Sequence, residues 1–266
     1  MTATRVAVRV GAGLAFAAVT LAAAPAGATD DLDAPFVAAP VTSREQTRFL
    51  PTTASAVVGT TATVTNAWGG YDAAARTPIF GAGTEVRLAP RLALFGGVAY
   101  GTAAAADAGL RPQVGARFQY LRQGESGVDA TVSVAYRGDR FIAEDGLFQG
   151  GLAFGRGFGE TTAVVNLLFA SDGEGDDHEA EVRLAALRHV HGGLYVGGEG
   201  RYMHAVDSTD PHRAANGTPS TEALAGPVVT YAIGNWALVA EGGIARRMTT
   251  TAQVGLTTLG GIGATF

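Results

Sequence analysis

The chain has 266 residues and a formal net charge of −5 at pH 7, with 47% hydrophobic residues, 16% charged residues and no cysteine. The absence of cysteine excludes a disulfide scaffold and a cysteine metal site, and the negative charge disfavours nucleic acid as a partner. The charged fraction is low for the surface of an ordinary soluble protein, and 38 glycines are more than a helical protein favours.

Residues 1–28 have the three parts of a secretory signal peptide. A basic segment without acids comes first, residues 11–24 are small and apolar, and Ala26-Gly27-Ala28 offers a cleavage site. The apolar part is too short for a spanning helix, which argues against the alternative of an uncleaved anchor. We therefore predict a mature chain that begins near Thr29.

Residues 29–53 show no alternation of apolar and polar residues. They are rich in acids, prolines and hydroxyl side chains, and Phe36-Val37 and Phe49-Leu50 are their only bulky apolar pairs. This composition predicts an irregular leader on the periplasmic side. The alternative is a plug that folds into the structure formed by the rest of the chain.

From Ala54 onward, segments of strand length alternate between apolar and polar residues, which predicts β-strands with one apolar face. Short connections carry the Gly, Pro and Asn residues that tight turns need: Ala89-Pro90, Gln123–Gly127, Gly157–Glu160, His191-Gly192 and Gly234-Asn235. Longer and more polar connections lie between them: Trp68–Pro78, Ala103–Gly109, Gly138–Ala143, Ser171–Asp177, Ala205–Ser220 and Arg247–Ala252.

The strict alternation of short and long connections predicts about twelve antiparallel strands, with both chain ends on the side of the short turns. About ten strands is the alternative, if Ala54–Ala67, where the alternation is weakest, does not pair.

The final residues, 253–266, read QVGLTTLGGIGATF and end on an aromatic residue, Phe266. Every second residue back from Phe266 belongs to a mainly apolar series, over a length sufficient for a tilted strand to cross a bilayer. This end resembles the closing strand of bacterial outer-membrane β-barrels. Residues 54–266 as a whole resemble the broad porin-like class of these proteins in Gram-negative bacteria.

The resemblance implies an all-β fold, a transmembrane antiparallel up-and-down β-barrel of about twelve strands over residues 54–266. It places the protein in the outer membrane with both termini in the periplasm, in contact with the lipid bilayer and lipopolysaccharide. It also implies that the outer-membrane assembly machinery recognises the C-terminal strand, and that small solutes are candidates for passage.

If the more apolar face of each strand meets lipid, aromatic residues fall near both strand ends. Amphipathic rings favour that position, where water meets lipid. The predicted membrane-anchoring aromatics are Phe80, Tyr100, Tyr120, Tyr136, Tyr202, Trp236 and Phe266.

The opposite face collects acids and arginines in equal numbers, which predicts pairing between neighbouring strands. The predicted lumen-lining residues are Glu85, Arg87, Arg111, Arg117, Asp129, Arg137, Glu179, Glu181, Arg183, Glu199, Arg201, Glu222, Glu241 and Arg247. The pattern favours a narrow passive pore for small solutes, with a charge-balanced lumen and little charge selectivity. The alternative is a non-conducting structural or ligand-binding barrel that acts through its extracellular loops, above all residues 205–220.

Sequence motifs for catalysis are weak. His204, Asp207 and Ser208 lie close together, but proximity in a loop does not supply the geometry of a catalytic triad. No histidine is followed two residues later by serine, so the motif of outer-membrane phospholipases is missing.

Two Asp-x-His pairs, Asp176/His178 and Asp210/His212, resemble half of the catalytic arrangement of omptin proteases, without the matching acidic pair. The acidic run 172–177 lacks the ligand spacing of a helix–loop–helix calcium site. We predict no catalytic site, metal or cofactor. A hydrolase acting through His204 or His212 is the least favoured alternative.

Overall fold

The computed structural model describes residues 43–50, 53–73, 76–100, 110–138, 146–172, 178–206, 220–248 and 252–266. The predicted signal peptide and most of the predicted leader lie outside these residues. Within the described residues, no helix has the length and apolar character needed to cross a membrane.

Twelve antiparallel strands form one closed barrel in which each strand pairs with its sequence neighbours and β1 also pairs with β12. The strands are β1 (Thr63–Asp72), β2 (Thr77–Ala89), β3 (Leu92–Tyr100), β4 (Arg111–Leu121), β5 (Asp129–Gly138), β6 (Gly146–Phe158), β7 (Thr161–Asp172), β8 (His178–His191), β9 (Leu194–Ala205), β10 (Thr221–Ile233), β11 (Trp236–Met248) and β12 (Ala252–Thr265). The predicted up-and-down barrel is confirmed. The ten-strand alternative is wrong because β1 pairs on both of its edges.

Short turns join the strands at one end of the barrel, which we call the turn end. Both Thr63 and Phe266 lie there, and their backbones exchange hydrogen bonds of 2.9 and 3.0 Å. Gly192 and Gly234 adopt a φ of 56° in these turns, a conformation that glycine reaches without strain. The predicted short turns are confirmed; the one at residues 123–127 includes a helical turn, α2 (Gln123–Ser126). Residues of the longer connections at the opposite loop end lie largely outside the described residues.

The barrel wall follows the alternation in the sequence. Side chains such as Val134, Phe148 and Leu256 are more than 60% exposed on the outer surface, whereas Leu187 and Val228 point inward and are buried. A wall with apolar side chains outside and polar ones inside suits hydrocarbon on one side and water on the other.

Residues 43–50 and 53–62, which we call the inserted segment, lie inside the barrel. The segment starts with a helical turn, α1 (Ser43–Gln46), and continues with a 3-10 turn (Thr47–Phe49). Residues 53–62, which lead into β1, have no strand structure. This described part is therefore not irregular throughout, and its position matches the plug alternative rather than a leader outside the barrel.

The prediction for the first hairpin needs correction. The first strand begins at Thr63, not Ala54, because Ala56, Val57 and Val58 are buried in the lumen instead of facing outward. The predicted loop Trp68–Pro78 is mostly strand: β1 continues to Asp72 and β2 begins at Thr77. The small and polar residues of that stretch read as a loop, but they pair along the β1–β2 ladder.

Candidate functional site: the lumen

The inserted segment is anchored to the wall by an apolar cluster. Phe49 and Leu50 are buried against inward-facing residues of strands β1, β8, β9, β10 and β11: Val64, Ala185, Leu187, Tyr195, Val228, Ala237 and Val239. Burial of two large apolar side chains contributes several kcal/mol in this kind of environment, about 1.5–3 kcal/mol for each.

Two wall glycines leave room for the inserted segment. A Cβ atom at Gly263 would lie 2.2 Å from Cδ1 of Phe49, and one at Gly155 would lie 2.8 Å from Cβ of Ala56. Both distances are far below van der Waals contact, so any larger residue would push the segment away from the wall. The free space expected beside such inward-facing glycines is thus partly filled by this segment.

Polar wall residues bind the backbone of the inserted segment. Asn166 of β7 accepts a hydrogen bond from the N–H of Ala54 at 2.7 Å and donates one to its carbonyl oxygen at 2.8 Å. The N–H groups of Thr53 and Val58 donate to Glu199 and Gln119, each at 3.1 Å. Because an unpaired buried amide is costly, these side chains make it possible for non-strand backbone to lie inside the barrel.

Arginines of the inserted segment pair with two of the predicted lumen acids. Nε of Arg44 donates to Asp129 at 2.8 Å, and Nη2 of Arg48 lies 3.3 Å from Glu85. Glu85 also binds Arg117, whose Nη1 donates to the carbonyl oxygen of Ser55 at 2.8 Å. These acids therefore bind partners in the segment as well as on the neighbouring strands.

Sequence reasoning missed these contacts of the segment. Arg44 and Arg48 stand one helical turn apart, and Phe49 follows directly after Arg48; this spacing indicates a short amphipathic helix. Asn166 is the one strongly polar residue in the apolar run AVVNLLF of β7. An isolated amide on an inward-facing position signals a buried hydrogen-bond partner, here the backbone of Ala54.

On the loop-end side of the inserted segment lies a cavity of about 420 Å³, which we call the vestibule. Arg48, Leu50 and Ser55 of the segment contribute to its lining, together with inward-facing residues from the middle and the loop-end half of the strands. Trp68 is also one of these lining residues; the sequence predicted it in a loop, but it lies in β1.

A row of ion pairs crosses neighbouring strands along the wall, and we call it the charge belt: Arg183, Glu181, Arg201, Glu222, Arg247 and Asp72. Glu181 binds Arg183 through two hydrogen bonds of 2.9 Å and also binds Arg201. Glu222 lies 3.4 Å from Arg201 and 3.4 Å from Arg247, and Arg247 lies 2.8 Å from Asp72. The four inner members of the row thus each have two partners, which offsets the cost of removing them from bulk water.

The other charged residues predicted for the lumen are also buried or half-buried. Arg137 lies 2.8 Å from Glu179, and Arg87 donates to the carbonyl oxygen of Gly59 at 3.2 Å. Arg111 is half-buried and lines the vestibule, and Glu241 is buried.

The predicted aromatics lie on the outer side of the wall with different exposures. Phe80, Tyr120, Tyr202, Trp236 and Phe266 are exposed. Tyr100 and Tyr136 are half-buried because each packs on a neighbouring ring, Tyr100 on Phe80 at 4.7 Å and Tyr136 on Phe148 at 5.2 Å between centroids.

The described histidines show no catalytic arrangement. His204 is exposed, and Nδ1 of its ring lies 3.2 Å from Oγ1 of Thr221. Its sequence neighbours Asp207 and Ser208 lie outside the described residues, as do Asp176, Asp210, His212 and the greater part of the acidic run 172–177. Within the described part of the chain, no group of three potential metal ligands comes together.

Sequence comparisons give no relative for this chain. No protein-family model matches it, and no curated protein sequence matches it.

Comparison with solved structures places the fold. The chain resembles the NanC porin with a TM-score of 0.55 and 8% identity, over 76% of this chain and 98% of that one. It also resembles LpxR from Salmonella typhimurium (TM-score 0.47, 9% identity, 77% and 100% covered). A third match is the outer membrane channel DcaP of Acinetobacter baumannii, with a TM-score of 0.41 and 12% identity. The match covers 72% of this chain and 63% of that one. At such identities the likeness to NanC shows the fold alone, a porin-like β-barrel.

Proposed function

We propose that this chain, which has the fold of a porin-like outer-membrane β-barrel, forms a narrow passive pore for small solutes. The observation that carries the proposal is the vestibule, a cavity lined with charged side chains on the loop-end side of the inserted segment. Charged, hydratable walls inside an apolar shell are what passage of polar solutes requires.

The proposed location is the outer membrane, with the turn end and both termini in the periplasm. The exposed apolar wall supports contact with the lipid bilayer, and the exposed rings near the strand ends support anchoring at its surfaces. Under this orientation the loop end meets lipopolysaccharide. The outer-membrane assembly machinery would recognise β12, which ends beside the exposed Phe266.

The pore is proposed to be narrow because side chains and the inserted segment share the lumen. Twelve strands lie between small barrels, whose interior is filled, and large porins, which hold an open channel. Arg48 and Arg117 both reach Glu85 across this space. Water and small solutes would therefore pass only through what the segment leaves open.

Planar-bilayer recording of the refolded protein tests the pore. We expect stepwise currents whose conductance changes in Arg117→Ala, because Arg117 holds Ser55 of the inserted segment and lines the vestibule. Arg188→Ala is the matched control, since Arg188 is exposed on the outer wall and its loss leaves the lumen unchanged. Silent membranes across repeated preparations of correctly folded protein would contradict a pore.

The second candidate is a non-conducting barrel that binds ligands or partners through its extracellular loops. The inserted segment favours it, because its packed cluster and its backbone hydrogen bonds fill the lumen on the turn-end side. The same recordings separate the candidates: silence in the native protein together with current after release of the segment supports a closed barrel.

A further inference from the structure

One part of the charge belt exposes its arginines more than its acids, whereas at the other end Arg247 and Asp72 are both buried, at 7% and 3% exposure. The side chains of Glu181 and Glu222 are 7% and 8% exposed, whereas those of Arg183 and Arg201 are 22% and 25% exposed. The Arg137–Glu179 pair has the same asymmetry, with 23% exposure for the arginine and 14% for the glutamate. At Arg137, Arg183 and Arg201 the group that meets water is therefore the guanidinium. The order is reversed at Glu85, which is 15% exposed beside Arg117 at 9% and Arg48 at 4%.

The arginines converge on one part of the wall. Arg183 and Arg201 lie directly opposite each other in the β8–β9 register, and both bind the single carboxylate of Glu181. Glu179 stands two residues before Glu181 on the same face of β8, about 7 Å away, and brings Arg137 to this wall. Glu179, Glu181 and Glu222 balance the charge of Arg137, Arg183 and Arg201, but the more exposed member of each pair is the guanidinium group, so the N–H donors face water.

A guanidinium group has five N–H donors in a planar fork that matches the oxygens of a carboxylate or a phosphate. Arg137, Arg183 and Arg201 all line the vestibule, whose volume of about 420 Å³ admits a small solute. We propose that these three arginines form a binding subsite for a small oxyanion, a carboxylate or a phosphate. The inference that such anions pass through the protein rests on the proposed pore function. Binding of an anion to the subsite does not require conduction.

Equilibrium binding to the full chain, refolded in detergent without lipopolysaccharide, tests the subsite. Inorganic phosphate and acetate are titrated separately by calorimetry. We expect the dissociation constant of at least one of these anions to rise about tenfold in Arg201→Gln, which removes one charge at a few ångströms in partly screened surroundings. In Glu181→Gln we expect tighter binding, because the two arginines lose the carboxylate between them. Arg188→Gln, exposed on the outer wall, should bind as the native protein does.

The opposite signs for Arg201→Gln and Glu181→Gln protect the test from a folding defect, since damage to the barrel would weaken binding in both. Circular dichroism and heat-dependent gel mobility verify the fold of each variant. Absence of binding for both anions, or equal affinity in the native protein, Arg201→Gln and Glu181→Gln, would overturn the subsite.

Recordings in a KCl gradient separate this inference from the proposed function. A reversal potential that favours chloride, and that moves toward zero in Arg201→Gln, supports both. Anion binding with silent membranes leaves the subsite intact and removes the pore. Current that prefers potassium, from a protein that binds neither anion, removes the subsite and leaves the pore.

Discussion

Replacement of Phe49 by alanine should release the inserted segment without unfolding the barrel. Phe49 is 6% exposed and packs in the cluster that joins the segment to β1 and to strands β8 to β11. Truncation of a buried phenylalanine costs about 3–5 kcal/mol. Here that cost lowers the stability of the docked segment relative to the undocked one. The undocked population should therefore rise by about two to four orders of magnitude. The ladder of backbone hydrogen bonds around the wall does not involve Phe49, so the strands should stay paired.

Two assays follow the release. Trypsin cleaves after Arg44 and Arg48 only when the segment leaves the lumen, so the cleavage rate reports the undocked population. Single-channel recording of Phe49→Ala should show larger or more frequent openings than the native protein. Phe148→Ala is the matched control, because Phe148 undergoes the same truncation at an outer-wall position that is 62% exposed. It should change neither readout.

The outcomes refute different steps of the reasoning. Unchanged cleavage of Phe49→Ala in an intact barrel would show that the apolar cluster does not hold the segment. Faster cleavage with unchanged current would show that the segment is docked as described but does not constrict the pore.

Two further predictions concern the wall. Val134 is 62% exposed near the middle of β5. In liposomes, Val134→Arg should lower the free energy of unfolding by about 2–4 kcal/mol, because the charge would face hydrocarbon. Equal stability of Val134→Arg and the control Val134→Leu in a denaturant titration would exclude a bilayer around this strand. Deletion of Phe266 should reduce the amount of folded barrel in the outer membrane of an expressing cell, while the purified chain still refolds in detergent. Normal membrane levels would show that the terminal ring is not needed for assembly.

The wall could be predicted from the sequence because its signal is local. Successive side chains of a strand point to opposite faces, so alternation in a single segment such as 253–266 already separates the outer from the inner face. The same parity rule predicted inward positions for the charged residues, and all of them are buried or half-buried. The short turns at Gly192 and Gly234 were predictable from residue type for the same reason, since a positive φ favours glycine.

The contents of the lumen depended on the tertiary structure, because their partners are far apart in the chain. Thr53 binds Glu199, 146 residues away, and Ala54 binds Asn166, 112 residues away; no local pattern encodes such distances. Parity also leaves open which arginine binds which acid, and which member of each pair faces water. Local alternation was therefore enough to predict a wall with an apolar outside and a charged inside. Only the closure of the barrel brought the inserted segment and the arginines into one space, because burial and ion pairing are properties of groups that meet after folding.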